Sequence, residues 1–318
     1  MQTFIYYATL NSMAEDNLIK NLKNRDREKK HIIITPDKKS LFYEKRLFSL
    51  LEEEAFFDVT TTTLSRFANK VNNKTERILT KQGGVLIIKK ILNEYASNLK
   101  SFGKDCNAVG FASVLFDTIC MFKSCNVPYS DITECGNKLL AGKLNDIKFV
   151  YEKYEEYLKK EYTDSFNRLS LCAHNIARED FKDTCVYFVG FDDFTKQAYA
   201  IIEKLMLSCD SVSIATTLGK KSDTKHNANI YLNVIYYNII DLAKKHGIQI
   251  NFVDSETTLS KEKEHILNEM FGYNLAKFSG DNRFVRLVSY NSIDDEIKNT
   301  VQEIKFRIIN EKRKFNEF

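Results

Sequence analysis

Asp192 and Asp193 are adjacent carboxylates in a short turn, a pairing that can hold a metal ion or cap a helix. They follow the apolar run Val186–Val189 and Gly190 and precede the amphipathic stretch Thr195–Ser208. Aspartate just before Phe194 and Thr195 favours the capping role, with the chain turning helical at Phe194. A second group is basic and hydroxylic: Thr35, Lys38, Lys39, Ser40 and Arg66. Lysine and arginine can neutralise phosphates while hydroxyls position a nucleic-acid backbone; the alternative is an ordinary polar loop face. No Ser–His–Asp set and no HExxH motif occurs, and the five histidines are dispersed. Seven cysteines include no CxxC pair, and Cys120 and Cys125 lack zinc-site spacing, so reduced thiols are expected.

Both groups fall where strands should end. Thr3–Tyr7, His31–Thr35, Phe57–Thr62, Val186–Val189 and Ser211–Thr216 are short apolar or β-branched runs, each read as a strand. Helices are expected over Asn11–Leu22, with Ser12 and Glu15 at capping-box spacing, and over Ser40–Leu51 after Pro36. Leu64–Val71 and Thr195–Ser208 complete alternating βα units, the pattern of a parallel sheet whose ligands sit at the carboxyl ends of its strands. From about Gln82 to Ala177 the strand signal vanishes. Val85–Leu99, Phe111–Ser124, Asp131–Leu140 and Lys143–Tyr162 show helical periodicity instead. The tyrosines Tyr151, Tyr154 and Tyr157 in that block are either buried helix aromatics or a base-stacking platform, the former being the plainer reading. After a polar segment, Ile230–Lys245 reads as a helix closed by Gly247. Ile248–Val253 reads as a strand, Lys261–Phe271 as a helix, Arg283–Tyr290 as a strand and Asp294–Asn310 as a helix capped by Ser292.

The 318 residues admit two domains or one with a large insertion, and 43% hydrophobic content supports a real core. No apolar run approaches the roughly 20 residues needed to cross a bilayer. The opening MQTFIYYATL lacks the features of a secretory signal, so a cytoplasmic location away from membranes is expected. A net charge of +4 permits nucleic-acid binding without demanding it.

Taken in order, ITPDKKSLFYEKRL, TTTTLSRFA, the helical block and YFVGFDDFTKQ resemble the N-terminal half of AddB and its relative RexB, with the strongest segments Ile34–Leu47, Thr62–Ala68 and Tyr187–Gln197. That family is the B subunit of the AddAB (RexAB) helicase–nuclease, and its front half has a superfamily 1, UvrD-like helicase fold. The resemblance implies an α/β chain: a RecA-like parallel sheet with a large all-helical insertion, then the start of a second α/β domain. The segments would be 1–75 and 181–222 for the RecA-like part and 76–180 for the insertion. Residues 223–318 would be a connecting segment and a truncated second domain entered near Arg283.

The resemblance also implies what the chain works with. ITPDK and its helix take the place of the helicase motif that contacts single-stranded DNA, and TTLSRFA lies at the neighbouring strand end. Thr35, Lys38, Lys39, Ser40 and Arg66 thereby become DNA-contact candidates. An AddA/RexA-type subunit and single-stranded and duplex-end DNA are the implied partners, in double-strand-break repair by homologous recombination. The family's nuclease, with its magnesium site and iron–sulfur cluster, would lie beyond Phe318, leaving no cofactor in this chain.

A nucleotide-hydrolysing loop needs glycines to cradle phosphates, a lysine for the β- and γ-phosphates and Ser/Thr for Mg²⁺. The matching stretch is YATLNSMAEDN, in which Ala8, Asn11, Ser12, Met13 and Ala14 replace those residues and Glu15 and Asp16 add repulsive charge. No glycine occurs between Met1 and Gln82. The second nucleotide motif also departs, since the strand ends Val189-Gly190-Phe191 before any carboxylate. The expectation is a helicase-like, non-catalytic, DNA-guiding region. Its rivals are a working ATP-dependent helicase and a protein-interaction module that docks through the helical insertion.

Overall fold

The computed structural model describes residues 2–53, 55–72, 77–104, 106–133, 136–218, 231–255, 259–269, 276–281 and 285–315. They fall in two units, Met1–Thr257 and Thr258–Phe318. The first begins with β1 (Gln2–Ala8), α1 (Asn11–Asn21), β2 (Lys30–Thr35), α2 (Ser40–Leu51), β3 (Val59–Thr63) and α3 (Leu64–Asn72). A helical excursion follows: β4 (Arg77–Ile78), α4 (Lys81–Glu94), α5 (Phe111–Ser124), α6 (Lys138–Glu161) and β5 (Tyr162–Thr163). The chain then returns through α7 (Ser165–Asn175), α8 (Arg178–Phe181), β6 (Thr184–Phe188), α9 (Lys196–Ser208), β7 (Ser211–Thr217), α10 (Val234–His246) and β8 (Ile250–Asp254).

The large strands form one six-stranded sheet in the order β3-β2-β6-β7-β1-β8, and every pairing in it is parallel. All five strands expected from the core α/β pattern lie in it, and the fold is α/β with a RecA-like parallel sheet. A strand buried on both faces reads as a continuous apolar run, as Ile32–Ile34 does. Alternate side chains serve opposite faces. Ile33, Tyr6 and Ala215 pack with Leu18 of α1 and Leu47 of α2, while Ile34, Ile5 and Ile214 pack with Phe67 of α3, Cys172 of α7, Ile202 of α9 and Ile239 of α10. Helices therefore cover both faces.

The strand expected over Ile248–Val253 is present as β8 (Ile250–Asp254) and pairs with β1, Thr3 opposite Ile250, as the sixth strand of this sheet. Several local expectations are corrected. Ser12 is not a cap: α1 is preceded by Leu10, which has no side-chain capping bond, and Ser12 sits in the first turn. The helix expected over Asp131–Leu140 starts only at Lys138, where the Asn137 side chain accepts from the Leu139 and Leu140 amides, and it runs unbroken to Glu161. In the second unit, α11 (Lys261–Glu269) and α12 (Ile293–Asn310) are helical as expected. Ser292 caps α12, accepting from the Asp295 amide at 3.1 Å, with Asp294, Asp295 and Glu296 at the positive end of the helix. The strand expected over Arg283–Tyr290 is absent from the described residues 285–290, and Arg283 and Ile230 lie outside the described residues.

The excursion has its own core, built by Ile88 and Ile91 of α4, Leu115 and Phe116 of α5, and Val150 and Tyr154 of α6. Tyr151 and Tyr154 are 4% and 0% exposed, so those two rings of the tyrosine stripe are core rather than a base-stacking platform. β4 and β5 pair in parallel at its entrance and exit. Among the described residues no helix is long and apolar enough to cross a membrane. Lys123 joins α5 to α6 and α7. Its side chain is 3% exposed and its Nζ lies 2.5 Å from both Glu155 and Asp164. Asp164 also accepts from Tyr154 Oη at 3.2 Å and from the Asn167 amide at 2.8 Å, capping α7. Removing one partner of such a buried pair strands the remaining charge. Lys123→Met is expected to destabilise the excursion by about 3–5 kcal/mol, read by denaturant unfolding and by faster amide exchange in α5 and α6.

Candidate functional site at the strand ends

The parallel sheet puts the carboxyl ends of all six strands along one edge, where the loops that bind ligands in such sheets are found. Thr35 and Thr63 end β2 and β3 and face each other in register. Both are buried. The Thr35 hydroxyl donates to the Pro36 carbonyl at 3.4 Å, and the Thr63 hydroxyl accepts from the Arg66 amide at 3.4 Å, which starts α3. Ser40 is buried as well and donates to Glu44 at 3.4 Å. Lys39 is committed inward, its Nζ donating to the Gly190 carbonyl at 3.0 Å. Lys38 and Arg66 are exposed, and neither side chain makes an ion pair among the described residues. All five DNA-contact candidates thus gather at two adjacent strand ends, and two of them present free positive charge to solvent.

The end of β1 is built differently. α1 follows after two residues, with Ala8 and Ala14 packed into the core. The Asn11 side-chain amide donates to the Phe191 carbonyl at 3.5 Å, joining this end to the loop after β6. Glu15, one turn into α1, is 6% exposed and accepts a 2.7 Å hydrogen bond from Tyr43 Oη. Burial pushes the Glu15 carboxyl above the ordinary glutamate value; Tyr43, Lys39, Arg46 and the Gly190 backbone offset part of this. Burial, then the neighbouring Glu15, raises the Tyr43 phenol. Arg46 extends the group by donating from Nε to Asp16 at 2.6 Å. Gly190 closes it, with φ of +82° and no room for a side chain: a Cβ there would sit 2.6 Å from the Tyr43 ring. A loop that receives phosphate presents donors and positive charge to a cavity. This end presents a buried carboxylate bonded to a tyrosine, and its residues do not fit a nucleotide phosphate group with Mg²⁺.

Asp192 and Asp193 are exposed in the turn after Gly190. Asp193 accepts from the Phe194 amide at 2.7 Å, while the cap of α9 is Thr195, whose hydroxyl accepts from the Ala198 amide at 3.2 Å. The helix therefore begins at Lys196, two residues beyond the expected Phe194, and its cap is a threonine rather than an aspartate. Among the described residues no cluster of three or more His, Cys, Asp or Glu could hold a metal. Phe194 packs edge-on against Phe188, 5.7 Å between ring centres, and fixes the turn against the sheet. Tyr43 and Arg46 were not singled out in the sequence. They lie there within the helix expected over Ser40–Leu51, and a glycine at the strand end, Gly190, is the signal that another side chain could approach closely.

A family model described as "ADDB, N-terminal" matches residues 11–271. Proteins named as the B subunit of an ATP-dependent helicase/deoxyribonuclease are similar to this chain. The one from Clostridium tetani is 28% identical over 247 residues, 73% of this chain and 22% of that protein. One from Clostridium botulinum is 24% identical over 309 residues, 91% of this chain and 27% of that protein. The one from Listeria monocytogenes is 24% identical over 305 residues, 91% and 26% respectively. The chain spans about a quarter of the length of these curated relatives.

The raised Glu15 carboxyl carries a definite pH signature. A carboxyl whose folded value exceeds its unfolded one adds stability below the unfolded value and loses it as pH rises through the folded one. Glu15→Gln removes that dependence. The stability of the variant minus that of the parent should rise as pH climbs from below about 4.5 and level off above the raised value, as read by urea unfolding at a series of pH values. A difference independent of pH would place Glu15 in a solvated setting.

Proposed function

This chain belongs to the AddB N-terminal family, and from that membership we propose that it is the helicase-like, non-catalytic front region of a helicase–nuclease B subunit. In this reading it binds and guides single-stranded DNA during double-strand-break repair by homologous recombination, beside an AddA/RexA-type partner and near a duplex end. The observation that carries the reading is the pairing of Lys38 and Arg66, both exposed and both uncommitted, at the neighbouring ends of β2 and β3. Free cations at strand ends suit phosphates, and the buried Thr35, Thr63 and Ser40 hold the two loops in place. The fold is that of a superfamily 1 helicase core in this reading. The buried Glu15–Tyr43 bond at the end of β1 supports a region that guides the strand without hydrolysing nucleotide.

Two measurements test this. Lys38→Ala with Arg66→Ala should weaken binding to single-stranded DNA and lower the slope of log affinity against log salt by about 0.7 for each phosphate no longer neutralised. Folding should change by no more than about 0.5 kcal/mol. Lys20 and Lys244 lie in the last turns of α1 and α10, at the opposite edge of the sheet, and serve as the charge-matched control. Equal losses from the control pair would reduce the binding to diffuse electrostatics. For nucleotide, millimolar ATP with Mg²⁺ should leave the melting temperature unchanged, since a ligand stabilises in proportion to its occupancy. An upward shift abolished by EDTA would make the chain a nucleotide-binding helicase core.

A further inference from the structure

Away from the strand ends, a cleft of about 250 Å³ opens where the loop after α5 meets α6, α7 and α9. One wall is aromatic: Tyr129 and Tyr151 stand edge to face, 5.9 Å between ring centres. Gln197, 3% exposed, lines the cleft. Its amide nitrogen donates to the Phe166 carbonyl at 3.0 Å and to Ser170 Oγ at 2.9 Å, which fixes the orientation of the side chain. Its Oε1 is then a buried acceptor with no partner. On the charged side Lys123 and Glu155 line the cleft; Lys123 lies 2.5 Å from Glu155 and 2.5 Å from Asp164, which stands behind the lining, and Glu155 also accepts from the Asn167 side chain at 3.2 Å. Two negative charges and one positive leave the cluster at minus one. Burial raises the Tyr151 phenol first, and Glu155 and then Asp164 add to it.

These features converge on one ligand chemistry. A buried acceptor left open requires a hydrogen-bond donor. A net negative cluster favours a cation and disfavours phosphate. Aromatic walls favour a planar, weakly hydrated cation over a compact ammonium. The volume lies below the roughly 300–1,000 Å³ of small-molecule sites and suits one side chain rather than a nucleotide. We propose that this cleft receives the guanidinium of an arginine side chain from a partner protein, donating to Gln197 Oε1 and to the Glu155 carboxylate with its plane against the half-exposed Tyr129, which Tyr151 backs from the core. The site is separate from Lys38 and Arg66 and opposite to them in charge, so it stands whether or not those residues hold DNA.

The test uses the whole 318-residue chain, isotopically labelled, titrated with N-acetyl-arginine amide and followed by amide and side-chain NMR shifts. The neutral isostere N-acetyl-citrulline amide and adenosine monophosphate serve as comparison probes. The arginine probe should give saturable shifts at Gln197 and its neighbours Tyr151 and Ser170, and the citrulline probe should not. Glu155→Gln should weaken the arginine probe at least tenfold, and Tyr129→Leu severalfold. If Glu155→Gln fails to fold, Tyr129→Leu, in the half-exposed loop, carries the test. Unchanged affinity in a folded variant, equal binding of citrulline, or no saturable shift with arginine would overturn the proposal. So would adenosine monophosphate saturating the same residues in place of arginine.

Discussion

Parallel pairing governs this molecule. Two parallel neighbours cannot be joined by a tight turn, so each strand must be followed by a crossover that carries the chain back to the same starting edge. Six parallel strands therefore deliver six carboxyl ends to one rim. On that rim stand Thr35 with Lys38, Thr63 with Arg66, Gly190 with the aspartates after β6, and Asn11 and Glu15 after β1. Nothing local to any of these loops would bring them together. The hydrogen-bond ladder does so, because Ile33 opposes Tyr187 on one side and Thr61 on the other.

Along that rim, polarity is divided. The β2–β3 end keeps its hydroxyls buried and sends charge outward, whereas the β1 end draws charge inward and neutralises it. Glu15, Tyr43, Lys39 and Gly190 are held together across α1, α2 and the loop after β6. Buried polar groups of this kind are stable only when they satisfy each other. The group therefore does the work of packing at a place where a nucleotide-using sheet would leave space. The same logic runs through the excursion, where Lys123, Tyr154, Glu155 and Asp164 fasten α5, α6 and α7.

Much of the architecture was legible because the signals were local. Pro36 and the polar DKK set the start of α2, and an apolar stripe set its length, so Ser40–Leu51 is helical as read. The same holds for α5. What failed to show was non-local. The break expected between Leu140 and Lys143 does not occur, since α6 runs unbroken through Gly142. β4 and β5 have two residues each, too few for any period to register. The strand expected over Arg283–Tyr290 rests on apolar residues alone, and the described residues 285–290 do not form one, since a strand is fixed by ladder pairing and not by composition. At the candidate site, residue types placed Thr35, Lys38 and Arg66 at strand ends, and β2 and β3 end there side by side. Burial of Thr35 and Ser40 and the Glu15–Tyr43 bond depend on segments far apart in sequence and could not be read from either one.

The excursion begins and ends almost at one point. Asn72, the last residue of α3, donates from its side chain to the Arg168 carbonyl in the first turns of α7 at 2.9 Å, and β4 and β5 run side by side just beyond. The sheet domain thus meets the excursion as a stalk with neighbouring feet. The closure entropy of a loop grows only logarithmically, by about 0.6 kcal/mol for each doubling of its length. Lengthening or shortening the excursion at its far end, away from the Lys123–Asp164 pair that ties it to α7, therefore costs the sheet little so long as the feet stay together. The excursion is thus free to change size at its far end while the rim of strand ends keeps its geometry.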